Sequence, residues 1–214
     1  MTEQLLSLIG KRFPLTEKDV GGFQTLKANG MSFTVRAYEA NGLGHVSVMQ
    51  AKGFFGLMKM DTLIVNPTAL DLPLYSYDRI LAMGNDTLIA ELYDTVVGDC
   101  PTDALKTVNE TYRDLPERDP GTHWYDGIKL KESISKKGKK LTERFDAYTE
   151  AYTKAYLGLP AKPVKDPEKK REKTNAYVEG LLKNGGPSTD VFKKALGEDK
   201  TAELFRKVLF GTNS

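Results

Sequence analysis

The sequence predicts an α+β fold in which helices flank a central antiparallel β-sheet. Three observations carry this reading. The first half alternates apolar and polar residues with a period of two, its segments are joined by very short turns, and the second half carries longer helical patterns. In order, residues 1–15 form an amphipathic helix with Leu5, Leu6 and Ile9 on one side. Strands follow over Ser32–Ala40, His45–Ala51, Leu57–Val65, Leu74–Met83 and Thr87–Asp94, rich in β-branched and aromatic residues. Asn29-Gly30, Asn41-Gly42-Leu43-Gly44 and Gly84-Asn85-Asp86 supply the turn chemistry between them. Such short connections exclude parallel crossovers and predict a meander. Helices are expected over Thr102–Leu115 and Lys139–Leu157, with a further strand near Trp124–Lys131 between them. Asp166-Pro167 caps and opens the next helix, and Asn184-Gly185-Gly186 ends it. Short helices over Ser188–Leu196 and Asp199–Phe210 complete the pattern.

The 214 residues fit one domain, 1–214, and can bury a core without covalent staples. Hydrophobic residues make up 40% and charged residues 28%, the balance of a soluble globular protein. A single cysteine, Cys100, rules out an intramolecular disulfide framework and points to a reducing, cytoplasmic setting. No apolar run reaches the roughly 18 residues of a membrane helix, so no membrane is expected as partner. Net charge is +2 but unevenly spread: residues 128–173 hold fourteen Lys or Arg against seven Asp or Glu. Such a segment can be a solvated helix face or can steer an acidic partner. Nucleic acid ranks last among partners, because no aromatic-rich binding motif accompanies the charge.

The familiar chemical motifs are missing. Gly42-x-Gly44 lacks a third glycine and a following helix, so it is no dinucleotide fingerprint. The two histidines, His45 and His123, do not stand at metal-ligand spacing with Cys100. No G-x-S-x-G elbow is present.

Three blocks carry a resemblance. The first is Asp71-Leu72-Pro73-Leu74-Tyr75-Ser76-Tyr77-Asp78, followed by the strand ending Ile89-Ala90-Glu91-Leu92. The second, residues 124–134, sets an aromatic before a short strand and a long helix. The third combines Lys183-Asn184, Val191-Phe192-Lys193-Lys194-Ala195-Leu196-Gly197 and Val208-Leu209-Phe210. In order and spacing they resemble the ferredoxin-dependent bilin reductases. That resemblance implies an α/β/α sandwich with a linear tetrapyrrole, biliverdin-like, between the sheet and the C-terminal helices. It implies sequential electron and proton transfer, with electrons from an acidic ferredoxin or flavodoxin, no bound cofactor and no metal. The protein is expected to act as a monomer.

Carried over by position, Asp78 falls on the family's proton-donating aspartate, sharing a strand face with Ser76 and Ile80. Where some members carry a pocket glutamate this chain has Met49, and where they carry a pocket histidine it has Asp61 or Thr62. A glycine, Gly185 or Gly186, and then Pro187 to Asp190, replace an aspartate and a basic run. Arg36, Lys52, Arg118 and Lys129 are candidate cations for the tetrapyrrole propionates, and Trp124 is a candidate pocket wall. Two other readings compete with the reductase: a tetrapyrrole carrier or sensor without turnover, and an interaction protein with a basic helical face.

Overall fold

A computed structural model describes residues 1–186 and 188–212; Pro187 lies outside them. Helix α1 (Thr2–Arg12) buries Leu5, Leu6 and Ile9, with Glu3 in its first turn and Lys11 and Arg12 in its last, matching the helix dipole. It stops three residues earlier than its amphipathic pattern. Phe13 precedes Pro14, whose ring forbids the helical conformation to its neighbour, and Phe13 is accordingly extended, with φ −129° and ψ 102°.

The sheet has eight strands: β1 (Leu15–Lys18), β2 (Thr25–Ala28), β3 (Met31–Ala40), β4 (Gly44–Gly53), β5 (Met58–Pro67), β6 (Leu74–Ala82), β7 (Asn85–Tyr93) and β8 (Ile134–Gly138). From β3 to β8 each strand pairs antiparallel with the next, and β1 and β2 share the outer edge of β3. The meander is the one that the short turns predict. The two edge strands β1 and β2 are four residues long, too short for a period-two pattern to stand out.

The strand expected near 124–131 lies instead at β8. Residues 126–128 form a single 3₁₀ turn, in which the Asp126 carboxylate accepts from His123 N–H at 2.8 Å. Trp124 and Tyr125 are aromatic because they pack on a helix, not because they belong to a strand. Helix α2 (Asp103–Thr111) is shorter than predicted, and α3 (Thr142–Leu157) starts later.

Helix α4 (Pro167–Asn184) begins as the sequence indicates. Asp166 Oδ1 accepts from Lys169 N–H at 3.0 Å, and Pro167 fills a position where no N–H is needed. Helix α5 (Thr189–Leu196) ends at Gly197, whose φ of 82° favours glycine, and α6 (Glu198–Glu203) widens into a π-helical stretch, Leu204–Leu209.

Alternation along the strands divides the core in two. Val46, Val48, Leu63, Val65, Tyr75 and Tyr77 face α1 and α3. Val35, Met49, Ile64 and Tyr93 face α4 and the C-terminal helices. Helices therefore cover both faces, and the fold is the expected α/β/α sandwich.

Candidate functional site

Asp78 sits in the middle of β6, on the face turned to the C-terminal helices. Its cross-strand partners are Thr62 on β5 and Ile89 on β7. Since alternate residues share a face, Thr62, Ser76, Asp78 and Glu91 form a small polar island in an apolar floor to which Met49 belongs. Tyr93, Tyr125, Tyr177, Phe205 and Phe210 wall it. Together these residues enclose a cavity of about 90 Å³.

The electrostatics of the island follow from that enclosure. Burial disfavours the Asp78 carboxylate and pushes its pKa up to about 6; the Thr62 hydroxyl, donating to Oδ1 at 2.5 Å, opposes the shift, and the nearby Glu91 charge adds to it. An acid of that strength exchanges protons readily near neutrality. Glu91 is differently held. Tyr93 Oη donates to it at 2.5 Å, and Lys129 Nζ stands 3.6 Å away. Tyr93 in turn stacks on Tyr177 with ring centroids 4.1 Å apart.

The cover over this cavity is fastened from below. His45, Ser47 and Asn66 project from β4 and β5 toward the end of the chain's last helix. Three consecutive carbonyls accept from them: Val208 from His45 Nε2 at 2.8 Å, Leu209 from Ser47 Oγ at 2.7 Å, and Phe210 from Asn66 Nδ2 at 2.7 Å. The first bond fixes the tautomer, because a carbonyl only accepts; Nδ1 is then unprotonated, and it is buried with no partner among the described residues. Burial lowers the His45 pKa to about 4. Gly211, at φ 62°, lies against the ring, where an added Cβ would come within 2.4 Å of Cγ. These are the last carbonyls of the helix, which have no partner within it and are open to side chains from the sheet.

The structure brings Met49, Thr62, Ser76 and Asp78 together around the cavity. Ile80 shares their face but lies beyond the lining. Trp124 is 39% exposed; it lies across Gly180 of α4, and its indole N–H donates to Gly185 O at 3.1 Å, so it supports Tyr125 and Tyr177 from outside. Lys129 and Arg118 stand on the β8 side: Lys129 pairs with Asp126 at 2.8 Å, and Arg118 donates to Ser135 at 3.1 Å.

Three expectations require correction. Asp61 points to the opposite face, where Gln50 donates to it at 3.0 Å and the Met1 amino group lies 3.7 Å away. It cannot occupy the place of the missing histidine, because one step along a strand reverses the side chain. Arg36 and Lys52 lie on that same opposite face: Arg36 pairs with Glu3 of α1, and Lys52 is exposed.

Sequence reasoning missed Glu91 as a site residue. The signal was present: along β7, Leu88, Ala90 and Leu92 share one face, leaving Glu91 as the lone charge between Ile89 and Tyr93. Tyr125 and Tyr177, and the three side chains under the cover, had no local signal, since each depends on contacts across more than thirty residues.

Comparison with known proteins adds one finding. The fold is similar to that in the crystal structure of phytochromobilin synthase from tomato in complex with biliverdin, with a TM-score of 0.80 and 16% sequence identity, over 99% of this chain and 82% of that one. No family model matches the sequence, and no curated protein matches it. Among the described residues, no helix is long and apolar enough to cross a membrane, and no cluster of three or more His, Cys, Asp or Glu could hold a metal ion.

Proposed function

We propose that this chain binds a linear tetrapyrrole on the Asp78 face of the sheet and reduces it with electrons from ferredoxin or flavodoxin. The observation that supports it most is Asp78 itself: a carboxyl group with a pKa of about 6, in an aromatic-walled cavity between the sheet and the C-terminal helices. A two-electron reduction consumes two protons and two electrons. The donor protein delivers the electrons singly; Asp78 gives the pigment one proton, regains one from water and gives the second, and the pigment persists as a radical between the two electrons. Thr62 orients the acid through its hydroxyl. The tyrosine walls offer flat, apolar surfaces against which a conjugated pigment can stack.

Size sets a condition on this reading. A cavity of about 90 Å³ is well below the roughly 300–1,000 Å³ of sites for cofactor-sized ligands. Entry of the pigment therefore requires the cover formed by Leu181, Thr189, Phe205 and Phe210 to move outward. No lysine or arginine is among the residues lining the cavity. The propionates are then directed toward the rim, where Lys129 and Arg118 stand.

Titration of the protein with biliverdin, followed by absorption spectroscopy, tests binding; addition of reduced ferredoxin tests turnover. Asp78→Asn should keep the bound spectrum and accumulate a radical after the first electron. An unchanged biliverdin spectrum at micromolar protein would end the proposal. Met49, standing where the resemblance expects a glutamate, favours a second reading, a carrier or sensor: pigment bound in a one-to-one complex but unchanged by reduced ferredoxin.

A further inference from the structure

Four turns gather at one end of the sheet. They are Asn29–Gly30 between β2 and β3, Phe54–Leu57 between β4 and β5, Met83–Gly84 between β6 and β7, and Lys139–Lys140 beyond β8. The registers require this: Met31 pairs with Gly53, Met58 with Ala82, and Asp86 with Gly138. The two middle turns touch, Met83 N–H donating to Leu57 O at 3.3 Å.

Their side chains contradict turn chemistry. Phe54, Phe55, Leu57 and Met83 are each more than half exposed. Phe54, Phe55 and Met83 adopt φ of 51°, 55° and 50°, the left-handed region where a bulky residue is strained and Gly or Asn fits without strain. Large apolar side chains held in water at three strained positions call for an explanation by binding.

Charge surrounds this apolar tip. Lys27, Lys52 and Lys59 lie in one cross-strand row, since Ser32 pairs with both Lys27 and Lys52, and Lys52 pairs with Lys59. Lys137, Lys139 and Lys140 flank the other side, and all six lysines are exposed. Within 27–32, 52–59, 81–86 and 137–140 the single acidic residue is Asp86, which is buried against Arg79.

We propose that this end of the sheet docks on an anionic lipid bilayer, with Phe54, Phe55, Leu57 and Met83 wedged among the headgroups and the lysines on the lipid phosphates. The tip consists of separate turns whose apolar side chains stand out from their neighbours, Phe55 fully exposed, with lysines around them. That shape fits a fluid interface, which deforms around a wedge, better than a protein partner, which would need a matching concavity. Peripheral binding of this kind combines apolar insertion with attraction to acidic lipids and needs no spanning helix. It is independent of the tetrapyrrole reading.

The test is co-sedimentation of the full chain with phosphatidylcholine vesicles, with and without about 30% phosphatidylserine. Binding is expected to the acidic vesicles and to be roughly tenfold weaker without phosphatidylserine. Phe55→Ser with Met83→Ser should weaken it at least about tenfold, with an unchanged melting temperature. Lys52→Glu with Lys59→Glu should weaken it comparably. A Phe55→Trp variant should emit at shorter wavelength on these vesicles and be quenched by brominated acyl chains. Wild-type protein remaining in solution with acidic vesicles would overturn the proposal, as would serine variants that bind like wild type. A dimer seen by light scattering and abolished by Phe55→Ser would overturn it too, assigning the tip to a second copy of the chain. Capture of an acidic protein without vesicle binding would reassign it to that partner.

Discussion

Asp78, half-buried at the cavity, and the buried His45 are titratable groups that respond to acid in opposite senses. The folded state binds a proton at Asp78 near pH 6, whereas the unfolded chain does so near the usual carboxylate value of 3.8. Stability from this group therefore rises as pH falls from about 6 to 4, by up to about 3 kcal/mol. His45 does the reverse. Its unfolded imidazole protonates near 6.5 and its folded one only near 4, so stability is lost over almost the same window. In the wild type the two effects largely offset one another. Asp78→Asn removes the first and leaves the second. The variant should be more stable than wild type at about pH 7.5, by about 1–3 kcal/mol, because a buried charge has been replaced by a neutral amide of the same shape. Its advantage should shrink as the pH falls toward about 4. Urea unfolding at a series of pH values measures both slopes; parallel profiles for the two proteins would mean that Asp78 is not held as an acid. A second prediction concerns Gly180. An added Cβ there would lie 2.1 Å from the Trp124 ring, so Gly180→Ala must displace the indole and its bond to Gly185. Alanine is the better helix former by about 1 kcal/mol, so stability should change little while emission from this single tryptophan shifts to longer wavelength.

Among the elements, the last helix depends most on its neighbours. Its π-helical end is fastened by side chains of β4 and β5 rather than by its own ladder alone. Asn66 serves both sides of that junction: its amide N–H donates to Phe210 O, and its carbonyl oxygen accepts from Thr174 of α4 at 3.4 Å. Asn66→Ala leaves the Phe210 carbonyl buried without this partner, a loss of about 1–3 kcal/mol. The penalty should fall on the cover rather than on the sheet. Amide exchange over residues 204–212 should accelerate while β3 to β7 stay protected, and equal acceleration everywhere would contradict the local role. This junction also shows where sequence reading stops. The start of α4 was legible because Asp166 and Pro167 act within one turn, and the meander was legible because Asn-Gly and Gly-Asn turns act locally. The strand expected at 124–131 failed because Trp124 and Tyr125 answer to α4, fifty residues on. The fastening by His45, Ser47 and Asn66 was illegible for the same reason, each bond spanning more than 140 residues.

The molecule as a whole is one sheet with two unequal cores. On the α1 and α3 side, tyrosines fill the space and their hydroxyls mostly find partners: Tyr148 with Asn109, Tyr152 with Glu132 O, and Tyr156 with Pro73 O, at 2.9 to 3.1 Å. On the other side lie a cavity, two carboxylates and a widened helix. Alternation in the sequence groups Asp78 with Ser76 and Ile80 on one face, but it leaves the choice between Asp61 and Thr62 open, which the pairing of Thr62 with Asp78 across β5 and β6 decides. The cover was not readable, because its contacts are long-range. The contrast predicts uneven opening. Local unfolding draws on the least tightly packed region, so the C-terminal layer should exchange first and the α1–α3 side last. On the proposed reading a tetrapyrrole enters through that layer and, once bound, replaces the contacts that the layer gave up. Biliverdin should therefore alter exchange mainly over residues 177–186 and 188–212, saturably, with β6 changing at Ser76–Asp78. Because opening must precede entry, Asn66→Ala should also bind pigment faster, by a few-fold, with stopped-flow absorption as the readout. Pigment-induced protection confined to α1 and α3 would place the ligand on the wrong face. An unchanged association rate in Asn66→Ala, with exchange already accelerated, would show that the cover is not the gate.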